Sequence, residues 1–206
     1  MPAEAPRVEA GAAIGALDRH EPVGLTRRAA RPWAALAVVL AADAALALDP
    51  PWPLGGLLDE PAHAATAALA LMCLPPRPRG WRAGYAVASL GVDADHLPLM
   101  RRRAEITSAT PRPPAHTLAV PALLGAAALL PSRAGALLRG AAAGALIHLA
   151  RDLATGPGVA LLAPIDRRQL RLPYGVYAAA LAALAVRAAR PSLHAGGIGA
   201  RVGAGL

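Results

Sequence analysis

Six short apolar spans, separated by stretches rich in Pro and Arg, constrain the fold of this 206-residue chain more than any other feature. Each has roughly 12–17 apolar residues, fewer than the ~20 that cross a bilayer, although flanking turns can lengthen a helix. Few of their residues are polar, which favours a membrane over a soluble bundle. The spans cover residues 33–48, 62–74, 81–92, 116–130, 134–150 and 173–189.

Composition excludes the other common classes. Hydrophobic residues make up 55% of the chain, aromatic residues 3% and charged residues 17%, too little bulk and charge for an ordinary soluble domain and too much apolar content for disorder. One cysteine, Cys73, excludes a disulfide scaffold. We therefore predict an all-α polytopic membrane bundle of about six short helices over residues 32–190, with mobile tails at 1–31 and 191–206.

The net charge of +8 raises the question of nucleic-acid binding. The arginines are dispersed among apolar segments, and no aromatic platform for base stacking accompanies them. Membrane proteins place arginine at loop ends for topological reasons. We expect the lipid bilayer, and no nucleic acid, as the partner.

Histidines and carboxylates are concentrated at one end of the spans. If the spans alternate across the bilayer, the second starts, the third ends, the fourth starts and the fifth ends on the same side. Ionisable groups in a membrane protein are costly and usually functional, so this concentration predicts a binding site. The residues concerned are Asp59, Glu60, His63, Asp93, Asp95, His96, His116, His148 and Asp152.

The spacing of these residues is typical of metal ligation. His148 and Asp152 are four residues apart and share one helix face, as do Asp59 and His63. Asp93 and Asp95 project in similar directions if their segment is extended. Imidazole with carboxylate suits zinc, or manganese if oxygen ligands dominate. We expect a divalent metal site of one to three ions, in which a carboxylate could bridge two ions.

Each of these residues also has an ordinary structural explanation. His148 can be a partner for the helix dipole, Asp59 an N-cap for a helix that begins at Pro61, and His116 an interfacial side chain. The joint placement of all of them favours a metal site.

Two further features concern packing. Asp43 lies inside the first apolar span, where it must face a partner or water. The glycines of the spans suit close contact between helices. They are Gly84, Gly125, Gly135, Gly140 and Gly144.

The segment from His148 to Pro164 resembles the His-xxx-Asp, Thr-x-x-Gly-Val and Leu-x-Pro signature of the YdjM-like family, predicted bacterial inner-membrane metal-dependent hydrolases. Asp93-Ala-Asp95-His96 is similar to the family's Pro-Asp-Ile-Asp-His motif, His116-Thr117-Leu118 to its Thr-His-Ser motif, and His63 to its amino-terminal histidine. The resemblance covers about residues 59–165. It implies a helical fold and phosphoester hydrolysis at a multi-metal site, because the family is distantly similar to zinc-dependent phospholipase C and zinc single-strand nucleases.

The chain departs from this pattern at several positions. Pro111-Arg112-Pro113 stands where family members carry His-Arg-Gly, so the arginine remains and the histidine is lost. Ala115 replaces the threonine and Val92 the proline. Loss of a ligand or proton carrier at Pro111 would reduce metal binding or activity.

The sequence is compatible with three functions. The first is a membrane metal-dependent hydrolase of a lipid or lipid-linked phosphoester. The second is a non-catalytic membrane protein with a structural or vestigial metal. The third is a transporter or channel, which Asp43 favours, although no broken-helix pair or inverted repeat is evident.

For the hydrolase, the expected metal ligands are His63, Asp93, Asp95, His116, His148 and Asp152. His96 or Glu60 would act as general base or extra ligand, and Arg112 or Arg151 would clamp a phosphate oxygen.

Orientation gives a first testable prediction. With the amino terminus inside, twelve arginines fall on the cytoplasmic side and eight on the side of the predicted metal site, so the positive-inside rule favours an extracytoplasmic site. The Arg101–Arg103 cluster argues the other way unless it binds anionic headgroups. Reporter fusions after Leu48 and after Arg103 should both report the extracytoplasmic side, and a cytoplasmic signal at Arg103 would overturn the assignment.

Overall fold

The computed structural model describes residues 23–96, 112–130 and 132–190, which form six α-helices and no β-strand. The all-helical prediction is therefore confirmed. Most of the predicted amino-terminal tail, the whole carboxy-terminal tail, Arg101–Arg103 and Pro111 lie outside the described residues. The helices are α1 (Val23–Leu46), α2 (Trp52–Met72), α3 (Arg79–Gly91), α4 (Ala119–Ala127), α5 (Gly135–Asp152) and α6 (Tyr174–Ala189).

Two helices begin earlier than the apolar pattern predicts. Helix α1 starts at Val23, inside the stretch predicted as a tail, and α2 starts at Trp52 rather than at residue 62. Pro51 precedes α2 with an extended backbone, and a proline in the first turn is compatible with a helix start because that turn has no partner for its N–H groups. Asp59 is consequently inside the helix, and its interpretation as an N-cap is wrong.

Helices α3 and α5 approach so closely that glycine is required at their contact. A Cβ atom at Gly84 would collide with the carbonyl of Leu137, one at Gly140 with that of Trp81, and one at Gly144 with that of Tyr85. These three glycines thus have the predicted packing role. Gly125 does not, since no atom of the described residues lies within 4 Å of the position its Cβ would take.

A small apolar core joins α1, α2 and α6. It includes Val39, Leu69, Tyr177 and Leu181. Many large apolar side chains elsewhere are exposed, among them Val87, Leu123 and Leu129. One described helix is long and apolar enough to cross a membrane, over Ala29–Leu46, while Tyr174–Ala189 is apolar but shorter.

Backbone hydrogen bonds hold the loop after α5 in place and join it to the segment before α4. Val159 and Leu170 pair across an isolated bridge, and the amide of Leu118 donates to the carbonyl of Leu161 at 2.9 Å. Gly158 precedes Val159 with φ of 87°, a conformation that side-chain-bearing residues rarely adopt. The glycine of the Gly-Val dipeptide therefore has a backbone role.

The α3–α5 contact generates a stability prediction. Gly144→Ala should destabilise the fold by roughly 1–3 kcal/mol, because the added methyl group meets backbone atoms that cannot move independently. Gly125→Ala is the matched control and should be neutral or gain up to ~1 kcal/mol from helix propensity. Thermal unfolding of the purified proteins measures both, and equal losses would contradict the packing argument.

Candidate metal centre

Four side chains from separate parts of the chain meet in the interior at one end of the bundle. His63 comes from the middle of α2, His116 from the segment before α4, and His148 and Asp152 from the last turns of α5. The three histidines are each 1% exposed and Asp152 is 0% exposed. His116 is therefore not an interfacial side chain.

The Nε2 atoms of two histidines face each other with carboxylate oxygens beside them. Nε2 of His116 lies 3.3 Å from Nε2 of His148. Oδ2 of Asp152 is 3.3 Å from the first nitrogen and 3.1 Å from the second. Oδ1 of Asp93 is 3.0 Å and 3.5 Å from the same two atoms. We call this arrangement the His116–His148 centre.

His63 lies beside this centre and faces other carboxylate oxygens. Its ring stacks on that of His148 with centroids 3.9 Å apart. Its Nε2 is 3.3 Å from Oδ1 of Asp152 and 3.7 Å from Oδ2 of Asp93. Oδ2 of Asp59, one helical turn before His63, is also 3.7 Å away.

Groups outside the centre orient two of its histidines. The carbonyl of Ser89 accepts a hydrogen bond from Nδ1 of His148 at 3.0 Å. The Nε2 atom of the neutral ring therefore carries the free lone pair. Oδ2 of Asp95 lies 3.6 Å from Nδ1 of His116 and accepts a hydrogen bond from the amide of Ala115. Asp95 thus faces the outer nitrogen of His116, as carboxylates behind metal-bound histidines do.

The backbone between Asp93 and Asp95 is not extended, so the condition under which both side chains would project in similar directions is not met. Residues 92–96 form a 3₁₀ turn, so the two carboxylates reach opposite nitrogens of His116. The turn also places His96 with its Nδ1 3.3 Å from Oδ1 of Asp93.

Several polar atoms of the centre are buried without hydrogen-bond partners. Both ring nitrogens of His63 and both carboxylate oxygens of Asp152 are in this state among the described residues, although their neighbours are close. Burying such groups unpaired costs a few kcal/mol each, and more for a charge. Triads of ligand atoms lie within 4.8 Å of one another and can hold a metal ion: His63, Asp93 and His148; Asp93, His96 and His116; His116, His148 and Asp152.

The surroundings shift the pKa values of the groups between α3 and α4. Burial disfavours the charged carboxylates of Asp93 and Asp95, but hydrogen bonds from the neighbouring histidines outweigh it and hold both pKa values far below the usual range. Burial likewise opposes the charge on His96, yet Asp93 and Asp95 raise its pKa to about 9. The same carboxylates raise the pKa of His116 against the effect of burial.

The remaining predicted site residues lie at the more open edge of the centre. His96 is 26% exposed, and Nη2 of Arg112 lies 2.9 Å from Oδ1 of Asp152. Glu60 is exposed on α2 and forms no ion pair with another described residue. The structure thus brings every predicted residue except Glu60 into contact with the cluster.

Arg151 has a different role from the phosphate clamp considered for it. Its guanidinium is fully buried and donates to Oδ1 of Asp43 and to Oδ1 of Asp59, both at 2.6 Å. The hydroxyl of Tyr174 donates to Oδ2 of Asp43 at 3.0 Å. Asp43 therefore has the partner that its position in an apolar span required.

Two contacts are not predicted from the sequence. One is the ion pair between Asp59 and Arg151, and the other is the hydrogen bond from His148 to the carbonyl of Ser89. Arg151 lies between His148 and Asp152 at the end of a largely apolar helix, and this position is the sequence signal for a cation beside the carboxylates. A contact with a backbone carbonyl such as that of Ser89 cannot be predicted from residue types, because every residue has this group.

Comparisons with protein families, with curated proteins and with solved structures found no match to this chain. The arrangement of its own side chains is therefore the basis for assigning a function.

The buried Arg151 generates a second stability prediction. Arg151→Met should destabilise the protein by roughly 3–5 kcal/mol, because it leaves the buried carboxylate of Asp43 and the half-buried carboxylate of Asp59 without a counter-charge. Arg139→Met, on the exposed face of the same helix, is the control and should change stability by less than about 1 kcal/mol. Arg151→Lys should not restore stability, since an ammonium does not span two carboxylates as a guanidinium does. Thermal unfolding in detergent compares all three.

Proposed function

We propose that this protein is an integral-membrane, metal-dependent hydrolase of phosphoesters, with the His116–His148 centre as its active site. The observation that carries the proposal is Asp152, a fully buried carboxylate between imidazoles, whose Oδ2 has no hydrogen-bond partner among the described residues and whose Oδ1 faces the guanidinium of Arg112 at 2.9 Å. A divalent cation is the group that would satisfy these atoms together.

The donor set and its spacing support zinc. His116, His148 and Asp152 supply two nitrogens and one oxygen, with separations of 3.3, 3.3 and 3.1 Å. Two ligands of a tetrahedral zinc with bonds of ~2.0 Å are ~3.3 Å apart. Manganese would remain an option if carboxylates provided most of the ligands.

Charge supports a cation as well. Five carboxylates and two guanidiniums meet in and around the centre, a surplus of three negative charges. Protonated histidines offset this surplus when no metal is bound, and a divalent cation would offset it when the histidines are neutral ligands. An uncompensated buried charge is strongly destabilising. The carboxylates are those of Asp43, Asp59, Asp93, Asp95 and Asp152, and the guanidiniums those of Arg112 and Arg151.

Protein groups around the centre have defined tasks in this proposal. A bound zinc ion would supply a nucleophile at neutral pH and stabilise charge on the phosphoryl group. Arg112, at the edge, binds a phosphate oxygen with its guanidinium. His96 carries protons at the exposed side, and Asp95 holds the ring of His116 in position.

The membrane location rests on surface and helix composition. Exposed apolar side chains on several helices would be stable in contact with lipid, and the Ala29–Leu46 segment is long enough to span. We propose a multi-pass protein of the bacterial inner membrane with its metal centre towards the extracytoplasmic face. A centre at a membrane face suits a lipid or lipid-linked phosphoester.

A structural metal site is the second candidate. Deep burial of His63, His116 and His148 favours it, because structural zinc sites are closed to solvent. The edge formed by His96, 26% exposed, and Arg112, 11% exposed, favours catalysis instead, since it is the side from which a phosphate could approach.

Metal content and activity together test the proposal. Protein purified in detergent without chelator should contain zinc and hydrolyse bis-p-nitrophenyl phosphate. EDTA should remove both, and added zinc should restore both. His148→Ala should lose metal and reduce the hydrolysis rate by at least roughly 100-fold, as expected when a nucleophile generated by a metal is lost.

Cys73→Ser is the matched control, because Cys73 can bind metal but lies at the far end of α2, where its thiol faces the carbonyl of Leu184. It should keep metal and activity. Protein that folds but binds no divalent metal would refute the proposal, while metal without hydrolysis would select the structural site.

A further inference from the structure

An open groove of about 310 Å³ lies between α2 and α3, at the end of the bundle away from the His116–His148 centre. Helix α3 meets that centre at Ser89, near its last turn, whereas the groove follows its first two turns. The groove is lined by Leu71 of α2 and by Arg79, Arg82, Ala83 and Ala86 of α3. These four α3 residues are spaced so that they share one helix face, and Gly84 on the opposite face packs against α5. The groove is therefore on the outer surface of the bundle.

The arginines of the groove have no acidic partner. No ion pair among the described residues includes Arg79 or Arg82, and residues 61–92 contain neither Asp nor Glu. Both side chains are exposed. A third guanidinium, that of Arg77, lies 5.4 Å from the ring centre of Trp81 beside them. The mouth of the groove thus carries positive charge that no described carboxylate balances.

The lining changes from charged to apolar along α3. Arg79 and Arg82 belong to the first turns of the helix, whereas Ala83 and Ala86 follow towards its middle and face Leu71. Because alanine side chains are small, this part of the groove has room for an aliphatic chain. A ligand that matches both parts is anionic at one end and apolar at the other.

We propose that the groove binds one anionic phospholipid, with its phosphate between Arg79 and Arg82 and an acyl chain along Leu71, Ala83 and Ala86. Guanidinium groups suit phosphate oxygens, and basic pockets between transmembrane helices on the cytoplasmic side bind anionic headgroups. The positive-inside rule assigns these arginines to that side. The proposal rests on the membrane location given under the proposed function, and it does not depend on the metal or on hydrolysis.

The alternative is that these arginines only fix the topology of the chain. In that case other arginines at the same end of the bundle would be equivalent to them. Arg133 and Arg139 are exposed at this end, since Ala136 at the start of α5 lies beside Gly80. Neither of them lines the groove. They therefore provide a control with the same change in charge.

Native mass spectrometry of the full chain in detergent tests the headgroup contact. Protein incubated with dioleoyl phosphatidylglycerol should retain one lipid molecule. Dioleoyl phosphatidylcholine has the same acyl chains and a phosphate but no net charge, and it should be retained roughly 10-fold less. Arg79→Gln/Arg82→Gln should lower retention of phosphatidylglycerol by at least roughly 10-fold, whereas Arg133→Gln/Arg139→Gln should leave it unchanged.

A second pair of variants tests the acyl-chain contact without changing charge. Ala86→Trp fills the apolar part of the groove and should reduce retention of phosphatidylglycerol by a similar factor. Val87→Trp places the same side chain at the next position, which is 71% exposed and outside the groove, and it should retain the lipid.

Equal retention of the two lipids would overturn the inference, as would an equal loss in both arginine pairs, which would be an effect of net charge alone. Unchanged retention in Ala86→Trp would also overturn it, because the groove would then be empty of acyl chain. Thermal unfolding checks that each variant is folded. Zinc content of the same samples is a separate result: protein without zinc would refute the metal-dependent hydrolase and leave the lipid site standing.

Discussion

The buried guanidinium of Arg151 is the interaction on which the rest of the structure depends. It joins α5 to Asp43 on α1 and to Asp59 on α2, and Tyr174 extends the network to α6. Each carboxylate would be costly in an apolar interior without this counter-charge. Because Asp59 and His63 lie one turn apart on α2, fixing the first also limits the position of the second. The helices and the centre are therefore held by the same charges, and neither can move without disturbing the other.

A single face of α5 combines close packing with chemistry. Gly140, Gly144, His148 and Asp152 follow one another at intervals of four residues and so lie along one stripe of the helix. The two glycines let α3 approach, and one turn later the Ser89 carbonyl of α3 meets Nδ1 of His148. Close backbone contact thus sets which nitrogen of His148 faces the carboxylates, a detail on which ligation depends.

Local spacing predicts the parts of the site that lie on one helix, and the alternation of the spans predicts which helix ends meet. Neither predicts the individual contacts between distant segments. The six helices follow the six apolar spans, and the shared face of His148 and Asp152 follows from their separation of four residues. The start of α2 was missed because its first turns carry Pro and Gly rather than a continuous apolar run. Asp59 and Arg151 are 92 residues apart, and no period in the sequence relates them. Residue types do not show the 3₁₀ turn over residues 92–96, which places Asp95 beside Nδ1 of His116 while Asp93 faces Nε2 of the same ring.

Exposure differs among the side chains of the cluster, and the partly exposed members argue for a site that can react with something outside it. Asp152 is fully buried, while the side chains of Asp93, Asp95 and His96 are 14%, 23% and 26% exposed. A site that served only to hold the fold together would gain from complete closure, because exposed ligands exchange with water. Here Arg151 is fully buried, and Arg112, whose side chain is 11% exposed, contacts a carboxylate oxygen of the centre. A phosphate arriving there would replace Asp152 as the partner of Arg112 and would leave that carboxylate to the metal, so substrate binding and metal binding would support each other.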